Sequence, residues 1–103
     1  MIVKKIIQGK KYDTETAEFL GVDSHLAPND FNYWREKLYR KKTGEFFLYG
    51  EGGANSKYSK NAGANQWTGS EAIIPYTEDE AKHWAESHLS VEKYEKIFGE
   101  VKE

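Results

Sequence analysis

The chain opens with β-branched residues at Ile2, Val3, Ile6 and Ile7 closed by Gly9, a spacing that predicts a first strand. Lys4 and Lys5 interrupt it and place it at an exposed edge. From Tyr12 to Asp23 the pattern suits helix and strand alike. Asp13 or Thr14 is positioned to cap a short turn through Ala17, and Glu18–Val22 reads as the strand that follows. His25 to Asp30, with Pro28-Asn29-Asp30, reads as a loop. A strict alternation comes next: Tyr33, Arg35, Lys37 and Tyr39 point one way, and Trp34, Glu36, Leu38 and Arg40 the other. It predicts the first strand of a β-hairpin turning at Lys41-Lys42-Thr43-Gly44, where glycine takes positive φ at little cost. The return strand, Phe46-Phe47-Leu48-Tyr49, is apolar on both faces and so belongs at the centre of a sheet.

Residues 50–70 are rich in Gly, Asn and Ser and read as a loop of about 20 residues, well beyond the usual connection. Trp67 is expected to anchor that loop to the body. Glu71 to Tyr76 forms a strand ending near Pro75, and Thr77-Glu78-Asp79-Glu80 has the spacing of a capping box. Ala81, Trp84, Ala85, His88 and Leu89 then recur along one face of a helix. Ser90 caps a second helix with Val91, Tyr94, Ile97 and Phe98 as its buried stripe and Gly99 as its stop. These elements predict an α+β fold, a single domain over 1–103: a small, mainly antiparallel sheet of about four strands with the C-terminal helix pair packed on one face.

Composition sharpens this in three ways. Aromatic residues are 15% of the chain against 38% hydrophobic in all, so the core is largely built of rings. There is no cysteine, which removes disulfides, thiolate metal sites and cysteine nucleophiles and fits an intracellular protein. No apolar run approaches the ~20 residues of a membrane span, and MIVKKIIQGKK lacks the apolar stretch of a signal peptide, so a cytoplasmic location is expected. The net charge of −2 is unevenly spread, with residues 1–50 at +2 and residues 51–103 at −4. That balance excludes the strongly basic profile of a dedicated nucleic-acid binder and the extreme acidity of a DNA mimic.

No motif with a defined chemistry is present. Gly50-Glu51-Gly52-Gly53 before Ser56-Lys57 suggests a phosphate cradle, but it has neither P-loop nor dinucleotide-fold spacing, and a strand exit needing glycine explains it as well. His83 and His88 are five apart and do not share a helix face as zinc ligands would. His88 belongs to the apolar stripe. His25, near Asp23 and Asp30, is the one histidine in acid–base surroundings. Glu51, a lone acid between glycines beside Tyr49, is a candidate polar contact; the cluster Glu78, Asp79, Glu80 is explained by capping. Arg35, Lys37, Arg40, Lys41 and Lys42 interleave with Tyr33 and Tyr39, a mixture used by nucleic-acid-binding ribbons and equally by protected hairpin tips.

LYRKKTGEFFLYGEGGANSKYS, IIPYTEDEAKHWAESHL and YEKIFGEV resemble a family of small uncharacterised proteins from phages, plasmids and conjugative elements of Firmicutes, over most of the chain from Tyr12 onward. The resemblance carries no catalytic residues. It implies a mobile-element protein that binds a host protein, as inhibitors of host defence nucleases such as anti-CRISPR proteins do. The expected function is therefore non-enzymatic binding, with no cofactor, catalytic residue or metal. The expected partner surface is Tyr33, Arg35, Tyr39, Arg40, Lys41 and Lys42, with Glu51 and the loop Gly50, Gly52, Gly53 and Trp67 as a second edge. The alternatives are a nucleic-acid-binding accessory protein using the basic hairpin, and a small-ligand binder built around Tyr49, Glu51, Trp67 and His25.

Overall fold

A computed structural model describes residues 3–103; Ile2, expected in the first strand, lies outside the described residues. The order is β1 (Lys4–Ile7), β2 (Lys10–Asp13), β3 (Glu18–His25), β4 (Trp34–Arg40), β5 (Phe46–Gly52), β6 (Lys60–Gly63), β7 (Gln66–Thr68), β8 (Ser70–Tyr76), α1 (Glu78–His88) and α2 (Val91–Phe98). Four strands form one antiparallel sheet in the order β3-β4-β5-β8, and the two helices pack on it. The expected α+β architecture is what the chain adopts. β5 is central, as its two apolar faces require: Phe46 to Gly50 are buried throughout.

Register divides the sheet into two faces. Leu38, Phe46 and Leu48 meet Ala81, Trp84 and Ala85 of α1, and Tyr94 and Phe98 of α2 close the edge of that layer. Gly21 stands in this layer because Leu89 packs on it: a Cβ there would lie 2.7 Å from the leucine side chain. The helices begin where the sequence places them, α1 behind a complete Thr77–Glu80 capping box and α2 behind Ser90. Val91 departs from the expected stripe, for it opens the first turn of α2 beyond the sheet edge and is 74% exposed.

The opposite face is covered only in part. β1 and β2 pair with each other in a separate hairpin, whose Tyr12 sets its ring edge-on to Phe47 at 5.5 Å. Phe47 also stacks on Tyr39 at 5.1 Å, and Val3, Tyr49 and Ile73 complete this second core. Along the β3 edge the face is open, with Phe19 and Val22 exposed.

Two expectations are corrected. β3 continues through His25 instead of yielding to a loop, because Ser24 and His25 pair with Arg35 and Trp34. Residues 50–70 are not one long loop: β5 runs on to Gly52, and β6 and β7 form a small hairpin of their own. Its alternation is invisible in the sequence because every one of its residues is exposed. Among the described residues no helix is long and apolar enough to cross a membrane.

If Phe47 joins the β1–β2 hairpin to the sheet, Phe47→Ala should cost about 3–5 kcal/mol in urea unfolding. A loss below about 1 kcal/mol would show that the hairpin does not close this core.

Candidate functional site

Glu36 lies mid-strand on the helix-facing side of β4 with 0% exposure. Its Oε1 accepts from the Trp84 indole Nε1–H at 2.9 Å, and its Oε2 accepts from the Tyr58 hydroxyl and from Lys57 Nζ at 2.7 Å. Burial alone would push the carboxyl up, but the lysine, indole and hydroxyl donors outweigh it and hold it below the usual carboxylate range. The same burial, with the Glu36 charge, drives the Tyr58 hydroxyl up. Tyr58 reaches the carboxylate by lying across Gly50, where any Cβ would collide with its ring. Glu36 is sealed from solvent, and its donors join helix, sheet and the connection after β5.

Beside it, Trp84 stacks on His88 at 4.7 Å, His88 sits edge-on to Trp34 at 5.8 Å, and Trp34 stacks on His25 at 6.0 Å. His88 Nδ1 bonds Asp23 Oδ2 at 2.8 Å. Asp23, expected beside His25, thus serves His88, and His25 is an aromatic end-piece of this ladder.

The basic hairpin tip is largely engaged within the protein. Arg40 binds Glu18 through two nitrogens at 2.9 and 3.2 Å. Lys41 pairs with Glu45 at 3.4 Å and lies 3.5 Å from the centre of the Tyr12 ring. Tyr39, buried against Phe47, and Tyr33, only 4% exposed, both depart from their assignment to a partner surface. Lys42 is exposed at the turn, and Arg35 and Lys37 lie half-buried on the open sheet face. Charge reversal therefore separates neighbours: Lys41→Glu should lower the melting temperature, whereas Lys42→Glu should leave it nearly unchanged. Equal effects in thermal melts would show that the Lys41 contacts contribute nothing.

Other predicted residues do come together, at the far end of β4 and β5 from that tip. A cleft of about 420 Å³ is lined by Phe31, Tyr33, Glu51, Gly52, Gly53 and Trp67, with Asp30 and Gly69. Its backbone walls touch directly: a Cβ on Gly53 would lie 2.6 Å from the Phe31 carbonyl oxygen, and one on Gly69 2.5 Å from that of Gly52. The glycines are thus explained by close backbone approach. Trp67 is not the anchor expected of it but stands 58% exposed at the rim, with Phe31 at 69%. In the cleft wall the Tyr33 hydroxyl lies 3.4 Å from Glu51 Oε2, and behind it in the core the Tyr49 hydroxyl donates to Glu71 Oε2 at 2.6 Å. Burial drives both tyrosine hydroxyls up, and these carboxylates push the same way.

Phe31 and Tyr58 were not singled out by sequence, and Lys57, weighed only as part of a phosphate cradle, instead binds Glu36. Glu36 carried one usable signal, a charge set between the apolar Trp34 and Leu38 on one side of its strand, which marks a buried paired carboxylate. Nothing in the pattern marks Phe31 as exposed. Among the described residues no group of three or more His, Asp or Glu is arranged to hold a metal. In comparisons with known proteins, the chain matches no family model, no curated protein and no solved structure.

The Glu36 cluster makes an acid-sensitive prediction. Its folded carboxyl titrates below the ordinary 4.5, so the stabilisation is fully present above that pH and is lost as pH falls through the lowered folded value. Glu36→Gln should flatten the loss of stability seen by urea unfolding between about pH 5 and pH 2. An equally steep loss in the variant would assign it to other carboxylates.

Proposed function

We propose that this chain is a non-enzymatic binding protein that docks on another protein through the cleft end of its sheet. The observation that carries the reading is the pair of exposed rings, Phe31 and Trp67, facing one polar cleft. Large rings left in water beside a shaped cavity are what binding hot spots use, since they bury much area with few torsions to freeze. The sealed Glu36 supports the same reading, since a fully buried carboxylate cannot reach a substrate.

The resemblance to mobile-element proteins adds a partner class, a nuclease of a host defence system. Such enzymes hold nucleic acid on basic surfaces, and this end of the molecule presents Asp30 and Glu51 to meet one. Nucleic-acid binding is the second reading, and Arg35, Lys37 and Lys42, which form no ion pair among the described residues, favour it.

The deciding experiment is affinity capture from a Firmicute lysate, with and without nuclease digestion, read by mass spectrometry. A stoichiometric protein partner should survive digestion, be lost with Trp67→Ala or Phe31→Ala, and be kept with Lys42→Ala. Partners that vanish on digestion and depend on Lys42 would replace this reading with nucleic-acid binding.

A further inference from the structure

The buried carboxylate of Glu36 and the half-buried one of Glu51 are satisfied very differently. Glu36 accepts from three donors, with Lys57 at 2.7 Å and Trp84 at 2.9 Å. Glu51 has two contacts, both at 3.4 Å, from the hydroxyls of Tyr33 and Tyr49. A hydroxyl carries one proton, and that of Tyr49 is committed to Glu71 at 2.6 Å, so its approach to Glu51 sets oxygen against oxygen. Among the described residues Glu51 is left with a single, long protein donor. It also faces Glu71 directly across the β5–β8 ladder, where like charges repel. Arg35 lies opposite on β4 but forms no ion pair with it among the described residues.

This under-satisfied carboxylate opens into the cleft, beneath the exposed rings of Phe31 and Trp67. We propose that the cleft receives an arginine side chain of the protein partner, its guanidinium forked onto Glu51 and flanked by Phe31 and Trp67. A planar, multiply donating cation supplies the missing hydrogen bonds, separates Glu51 from Glu71 electrostatically and stacks on rings; a lysine ammonium does the first without the fork or the stacking. The cleft, about 420 Å³ in volume, has room for so large a group. The inference rests on the protein-binding reading and names the partner chemistry for that same site.

The test is titration of the ¹⁵N-labelled protein with Nα-acetyl-arginine methylamide and with its neutral citrulline counterpart. The arginine compound should saturably shift the Trp67 indole and the Gly52 and Gly53 amides, and bind ~10-fold tighter than the citrulline compound. Glu51→Gln should abolish that preference with the remaining spectrum intact, and Trp67→Ala should weaken both. Equal binding of the two compounds, no shift, or a preference that survives Glu51→Gln overturns the proposal. So does a neutral oligosaccharide that shifts these resonances when arginine does not. The two readings fail separately. If Glu51→Gln still captures the protein partner and Trp67→Ala does not, arginine recognition falls and protein binding stands. If the unaltered chain captures no protein, the binding reading itself falls.

Discussion

Glu36 has no exposed surface, so its charge has to be met from within the protein, and the three groups that meet it come from two separate parts of the chain. Trp84 brings in α1, while Lys57 and Tyr58 bring in the segment after β5. An unpaired carboxylate at this position would cost several kcal/mol, so each donor is held in place by the requirement of the others. Consequences spread along the strands. Tyr58 can arrive only across a glycine at position 50, and the chain that follows it is thereby fixed near the end of β5. There Gly53 pairs with Tyr33, and Asn55 with Phe31, through their backbones. The cleft therefore owes its position to a carboxylate it does not contain.

The sheet has enough partners for one face and half of the other. Two helices cover the first, and the short β1–β2 hairpin covers the second only around Phe47 and Tyr39. What remains uncovered carries both charge signs, with Arg35 and Lys37 on β4 and Glu51 and Glu71 on β5 and β8. Side chains near the basic tip are consumed locally, because Glu18 and Glu45 stand within reach of Arg40 and Lys41. At the cleft end no cation among the described residues takes the matching role for Glu51. The asymmetry between these two ends, more than the net charge of −2, sets where a partner can gain most.

Much of the fold was legible from periodicity. The β4–β5 hairpin, β8, both helices and their caps follow from alternation, helical spacing and cap chemistry, each a matter of neighbours a few residues apart. The site was legible only in pieces. Glu51, Gly52, Gly53, Tyr33 and Trp67 were singled out and do share one cleft, while Tyr39, Arg40 and Lys41, singled out beside them, are committed to internal contacts. The β6–β7 hairpin went unread because no buried face imposes a period on it.

By itself, then, the sequence determined the local elements, the central place of Phe46–Tyr49 and the absence of any cysteine chemistry, because these depend on residue type and near spacing. Only the tertiary structure decided which polar groups would be used up. Whether a carboxylate is satisfied depends on donors tens of residues away: Glu36 finds Trp84 across 48 positions and Glu18 is found by Arg40 across 22, while Glu51 is left short. No periodicity encodes those distances. The same holds for Phe31 and Trp67, whose exposure follows from where the chain runs out of surface to cover them.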